Sequence, residues 1–452
     1  MKEVRRDLIV AVGDSHVRAL SYCSSILPFF IGPGSFMNNL TKINHKNFHN
    51  KLLELINKCE KNTNILLLLN GDVIHHALLN SFDTWNENPI KEINPLLKAA
   101  NLYCETISEA SKCINGRIFV SSSSPGHTTE FVECTKKYNA IIQKFCIETN
   151  CSTYLNLIPI LSNEGFFKDE YSGDFAHTNP RSAYLFFELL KQHGALSKDC
   201  IYKDFEFKHL YKIKSKYGEY KIWGDFPKDR LILDKDTTFY WTKYHKETEL
   251  KINTLNEIIS LSSCFFADFK TKPSIVFLNS KEGFLPFNCC NQTFSRIIGV
   301  EKSDVSLKFA KYIKNFFEES KAEFFNEEEY LKFQYADIIV DIDMIFGSMD
   351  YRRRTFIDAN KKCLIYYRLS IEKETDIRLL KKSGFSHVFH IPFYETKRSD
   401  FSDNFLLCAI NFIPNQNFKN IIDLRVKKYI KDIIKNTTSS LKNYYANYSN
   451  SK

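Results

Sequence analysis

Glycine and proline are scarce in this 452-residue chain, at 15 and 12, and tryptophan and methionine are scarcer, at 3 and 4. The shortage goes with an excess of Lys and Asn, the bias an AT-rich genome produces, and so carries little about function. No stretch approaches the roughly 20 consecutive apolar residues of a membrane span. The start, Met1 to Arg6, is charged, and the apolar run behind it is shorter than a signal peptide needs. The thirteen cysteines are scattered and form no Cys-x-x-Cys pair, which argues against a zinc site. They read instead as reduced thiols in a cytoplasmic protein. A net charge of +9 over this length is too dilute to point to nucleic acid. The chain also lacks a glycine-rich phosphate fingerprint, which leaves a nucleotide site little support.

What is present is an ordinary globular composition, 44% hydrophobic and 25% charged, in a chain long enough for two domains. The first landmark is Leu8-Ile9-Val10-Ala11-Val12 running into Gly13-Asp14-Ser15-His16. A β-branched run, a tight turn and then Val17, Leu20 and Tyr22 at helical spacing place Ser15 at the mouth of a parallel sheet. A serine there can act as a nucleophile if a histidine takes its proton. Asp174-Phe175-Ala176-His177 downstream offers an acid and an imidazole three residues apart.

These two segments together resemble the SGNH (GDSL-type) hydrolase family, over about residues 1–197. The resemblance implies a triad in which His177 takes the Ser15 proton and Asp174 orients the imidazole. It further implies an oxyanion site built from the Ser15 amide and a glycine after the second strand, either Gly32 or Gly34. The family's third block, Gly-x-Asn-Asp, is altered here to Asn70-Gly71-Asp72-Val73. Gly71 matches, Val73 stands where the asparagine belongs, and Asn70, His75 or His76 is left to donate in its place. One such donor is worth ~3 kcal/mol to a transition state.

Around these landmarks strands alternate with helices. Strands are expected at 26–31, 64–69, 117–121 and 152–157, with helices over 46–59, 93–113, 131–148 and 180–193. The loop 122–126 lies at the carboxyl end of its strand, where open α/β sheets line their ligand crevice. The expected fold class is therefore α/β: a three-layer sandwich on a parallel sheet (SGNH/flavodoxin-like) over 1–197. A β-rich linker follows over 198–245, with a hairpin turning at Gly218. A second, Rossmann-like α/β domain spans 246–417, with a helix over 246–261, strands at 274–278, 337–341, 363–367 and 387–391, and an acidic amphipathic helix from Leu307 to Glu329. Residues 418–452 form a basic amphipathic helix, suited to packing on the second domain or touching anionic lipid, and a polar tail.

The second domain is poorly marked chemically. Asp341-Ile342-Asp343 matches the Asp-x-Asp some glycosyltransferases use to hold a metal and a nucleotide diphosphate, but strand-end acids read the same way. Arg352-Arg353-Arg354 reads as an exposed loop. The expectation is a cytoplasmic serine-dependent SGNH esterase or O-acetyltransferase acting on acyl esters of a carbohydrate or polysaccharide. It has no cofactor, metal, nucleic-acid partner or transmembrane segment. The alternatives are a bifunctional glycan-modifying protein with a sugar-binding or glycosyltransferase-like second domain, and a non-catalytic glycan-binding protein on a hydrolase scaffold.

Overall fold

The apolar run at the start of the chain becomes the centre of a sheet. β1 (Arg5–Gly13) lies between β2 (Ile26–Phe30) and β3 (Thr63–Leu68), parallel to both. Leu8 to Val12 are without solvent exposure, as a strand covered on both faces requires. The computed structural model describes residues 5–31, 42–69, 93–172, 178–205, 207, 210–222, 235–267, 271–289, 293–317, 320–331, 335–342, 355, 358–359, 361–370, 372–392 and 405–411. The chain divides into two units, Met1–Glu247 and Thr248–Lys452.

In the first unit β4 (Ile118–Ser121) and β5 (Thr153–Leu155) continue the parallel sheet beyond β3. A two-residue ribbon, β6 (Ser162–Asn163) with β7 (Phe166–Phe167), stands apart from it. The hairpin β8 (Tyr211–Ser215) and β9 (Gly218–Ile222) turns just ahead of Gly218 and pairs with β2 through Phe30 and Lys221. The order is β5-β4-β3-β1-β2-β9-β8. Its parallel part, read from β2, is 2-1-3-4-5, the flavodoxin-like order with its switch point between β1 and β3. Helices α1 (Lys42–Lys58), α2 (Ile93–Cys113) and α3 (Thr129–Thr149) pack in sequence against one another. The short α4 (Ile158–Leu161) follows β5, and α5 (Ser182–Gln192) packs with the helix that follows β1. That helix is a 3₁₀ helix over Ser15–Tyr22. Its Val17 and Leu20 join Ile9, Leu66, Phe119 and Phe187 in one core.

After α6 (Lys235–Phe265) the second unit builds its own sheet. β10 (Ser274–Leu278) pairs in parallel with β11 (Arg296–Val300) on one side and β13 (Ile338–Asp341) on the other. β12 (Ala322–Phe325) lies outside β11, and β14 (Ile365–Ser370) outside β13. β16 (Phe405–Ile410) is antiparallel to both β14 and β15 (His387–Pro392). The order β12-β11-β10-β13-β14-β16-β15 is, numbered within the unit, 3-2-1-4-5-7-6. Its first five strands follow the Rossmann order with a switch point between β10 and β13.

Both units are thus α/β with parallel-rich sheets, the second Rossmann-like. The single helix expected from Leu307 to Glu329 is a different structure. Following the short α7 (Phe284–Asn288), α8 (Asp304–Ile313) ends early, β12 intervenes, and α9 (Glu327–Leu331) follows. In β12 Ala322 and Phe324 are buried while Glu323 and Phe325 are half-buried, a two-residue alternation too short to stand out in the sequence. The helix α10 (Lys373–Lys382) completes the described set. Among the described residues no helix is long and apolar enough to cross a membrane. None of them forms a group of three or more His, Cys, Asp or Glu able to hold a metal ion. The basic helix expected after residue 418, with its lipid-facing reading, lies outside the described residues, as do Asp343 and Arg352 to Arg354.

Candidate functional site

The turn that closes β1 is built for backbone proximity. A Cβ on Gly13 would run into the Leu68 carbonyl of β3, so only glycine lets the two strands approach. Ile31 donates its N–H to the Gly13 carbonyl (3.0 Å), and the Asp14 N–H reaches Leu68 O (3.1 Å). Asp14 is fully buried, and its carboxylate accepts the His16 N–H at 3.0 Å. It is therefore the N-cap of the 3₁₀ helix. His16, also buried, shares a hydrogen bond between its Nδ1 and Ser124 Oγ at 2.9 Å. Ser124 belongs to the serine run Ser121–Ser124 at the carboxyl end of β4. Its neighbour Ser123 donates both its N–H and its Oγ to Asn139 Oδ1, and Ser122 Oγ accepts from the Leu157 N–H.

His16, Ser124, Thr178, Leu157 and Phe186 enclose a cavity of about 20 Å³, room for one water. Thr178 is buried, and its Oγ1 has no hydrogen-bond partner. The pocket is small, with serine hydroxyls on one side and Leu68, Leu157, Leu161 and Phe186 on the other. Of the residues the sequence nominated, Ser15 opens the 3₁₀ helix, and its side chain is not among the described ones. Asp174, His177, Gly32, Gly34, Asn70 and Gly71 all lie outside the described residues.

The second unit carries an open crevice at its own switch point. β10 runs into Asn279-Ser280-Lys281-Glu282-Gly283, where Asn279 (φ 53°), Lys281 (φ 53°) and Gly283 (φ 86°) all adopt left-handed backbone. Gly283 has a steric reason as well, because a Cβ there would meet Phe287 and Phe324 at 2.6 and 2.7 Å. Three of the turn's amides are already spent. Ser280 donates to Val300 O (2.9 Å), Gly283 to Ser280 O (2.9 Å), and Lys281 to Glu301 Oε2 (2.7 Å). A phosphate cradle needs such amides free and pointing at the ligand, so this turn is unsuited to one.

Glu301 directly follows β11 and lies about 20 residues after Gly283, the place where a dinucleotide fold sets the acid that holds ribose. It is buried, and its oxygens accept from the Lys281 and Ser303 N–H groups, at 2.7 and 2.9 Å. Each carboxylate oxygen keeps a further acceptor site. At the same strand end a cavity of about 310 Å³ is lined by Leu278, Val300 and Tyr330 and by the charged Lys302, Glu327, Asp358 and Lys362; Val300 and Lys302 face it, while the Glu301 side chain between them does not. Lys302 pairs with Glu327 at 2.9 Å on the same wall. Sequence reading missed Glu301. The available signal was an acid directly after the apolar run Ile297-Ile298-Gly299-Val300.

The Asp-x-Asp segment has a different use. Asp341, opposite Arg368 across the β13–β14 ladder, accepts from Arg368 Nη1 (2.6 Å) and from the Tyr366 hydroxyl (2.8 Å). Arg368, 1% exposed, also donates its Nε to Asp376 at 2.9 Å. Burial works against the arginine's charge, but Tyr366, Asp341 and Asp376 outweigh it and raise its pKa. Burial foremost, and then Asp341, pushes the Tyr366 hydroxyl far above its usual range. Asp341 is a strand-end acid committed to a buried ion network.

No protein-family model and no curated protein matches the chain. Solved structures that it resembles include a human methyltransferase 10 domain containing protein, at 14% identity over 36% of this chain and 82% of that one, with a TM-score of 0.30. They also include the magnesium protoporphyrin IX methyltransferase of Synechocystis with bound SAM, at 15% identity over 36% and 79%, TM-score 0.29. A putative RNA methyltransferase from Pyrococcus horikoshii aligns at 16% identity over 36% and 84%, TM-score 0.28. EvdMO1 and WbdD also match, and the chain spans 40% of the length of each. The first three are methyltransferase structures where SGNH hydrolases were expected. They overturn the SGNH resemblance, and with it the hydrolase class and the esterase or O-acetyltransferase activity. The misreading has a physical source. Gly13 and Asp14 are accounted for by strand approach and helix capping, needs that any α/β switch point shares.

Proposed function

We propose that the second unit binds an adenosine-bearing cofactor without phosphates, S-adenosylmethionine, and that the protein is a methyl-transferring enzyme. The observation that carries this reading is Glu301 at the carboxyl end of β11, beside a switch-point turn in which the Ser280, Lys281 and Gly283 amides are already spent. An acid in that position suits the two hydroxyls of a ribose, and the turn disfavours a pyrophosphate. NAD and sugar nucleotides therefore fit less well than a nucleoside joined to a sulfonium. Glu301, set between the lining residues Val300 and Lys302, would turn its carboxylate to the cavity to accept the ribose hydroxyls, and Leu278, Val300 and Tyr330 supply apolar surface on the cavity wall for the base. Such a cofactor, when bound, supplies an electrophilic methyl carbon.

Isothermal titration calorimetry on the full chain with S-adenosylmethionine, NAD and UDP-glucose tests this. The expected result is binding of S-adenosylmethionine alone, weakened at least tenfold in Glu301→Gln. That variant keeps one acceptor oxygen for the turn. Binding of NAD or UDP-glucose in its place, or no binding to folded protein, overturns the reading.

A further inference from the structure

A large concavity in the first unit lies away from its small His16 pocket. One wall is α3, which presents Thr135, Asn139 and Gln143 in a single row at four-residue spacing. The other wall is the chain leaving β5, with Asn156, Ser162 and Asn163. The space between them is about 880 Å³, within the range of about 300–1,000 Å³ usual for ligand sites.

Its lining is unusual in chemistry. Four carboxamides and the hydroxyls of Thr135, Tyr154 and Ser162 line it, the last donated to the Ile158 carbonyl, and the ionic side chains are a single Lys136, paired with Glu133 at 2.9 Å, and a single Glu164. Tyr154 and Pro159 add apolar surface. Thr135 is 3% exposed, and its hydroxyl has no hydrogen-bond partner, an arrangement that costs stability unless something binds there. Asn139 uses its amide oxygen for Ser123, and its –NH₂ carries two further donors. Asn156 likewise spends its oxygen on the Ile158 N–H (3.3 Å).

A phosphorylated or nucleic-acid ligand would call for several cations, and an acyl chain for an apolar lining. Carboxamides and hydroxyls both give and accept hydrogen bonds, and so match a ligand whose groups do both: the hydroxyls of an uncharged sugar. We propose that this groove binds a neutral oligosaccharide, received by Thr135, Asn139, Gln143 and Asn156. The Asn139–Ser123 hydrogen bonds fix the Asn139 side chain on the groove wall. The site is independent of the cofactor reading, since no residue is shared.

The test is saturation-transfer NMR on the full chain, without cofactor, using maltotriose, cellotriose and chitotriose, with trialanine as an amide-rich control. Wild type is expected to give signals with at least one trisaccharide. The double variant Gln143→Ala/Asn156→Ala is expected to weaken that binding at least tenfold while its melting temperature stays unchanged. Both residues are exposed, and water can replace Asn156 as acceptor for the Ile158 N–H. No trisaccharide signal, an unchanged affinity in the variant, or trialanine binding lost in its place would each overturn the proposal.

Discussion

Lys51 shows how one buried group sets a pH response. It is 8% exposed, donates Nζ to the Ile31 carbonyl at 2.6 Å, and sits 5.6 Å from the centre of the Tyr220 ring. Burial foremost lowers its pKa to about 8. The unfolded chain holds this proton to about pH 10.4. Between these values the unfolded state binds more protons than the native one, so stability rises with pH across that window. Urea denaturation of wild type against Lys51→Met should therefore show the wild type gaining roughly 2 kcal/mol, relative to the variant, between pH 7.5 and 9.5. A flat difference would mean that the ammonium is well solvated. At the same scale Glu301 and Asp341 contrast: both lie at the carboxyl ends of parallel strands, yet Asp341 is neutralised by Arg368, whereas Glu301 accepts from the backbone amides of Lys281 and Ser303. That difference is invisible in sequence, because it depends on which residue the neighbouring strand sets opposite.

Among the elements, α3 is the one whose position matters most to the proposed groove. Thr128 caps it, accepting the Phe131 N–H at 3.3 Å, and Asn150 closes it in a left-handed conformation. Thr128→Ala should cost about 1 kcal/mol of unfolding free energy, measured by urea titration, with no change in trisaccharide binding if only the helix end loosens. Long helices were legible: α2 is expected and found over 93–113, because several turns of apolar periodicity accumulate. Short strands were not. β11 and β16 passed unmarked and β12 was read as helix, since four to six residues carry too little periodic signal to outweigh their neighbours.

On the scale of the whole molecule, each unit has its own core. One gathers Ile9, Leu66 and Phe187, the other Val276, Tyr366 and Leu407. Scanning calorimetry should resolve two transitions, with S-adenosylmethionine raising only one. At a hundredfold excess over its dissociation constant the gain is about 2.7 kcal/mol. A single transition moved by the cofactor throughout would show that the cores unfold as one. The α/β class and the strand–turn–helix opening were written in the sequence, since burial on both faces and turn chemistry are local demands that leave local patterns. The strand orders, the reversal of β16, the pairing of Asp341 with Arg368 and the facing of two amide-bearing walls were decided only by tertiary structure. Each depends on which distant segments lie side by side, and a Gly-Asp-Ser-His turn meets the demands of a switch point whichever chemistry surrounds it.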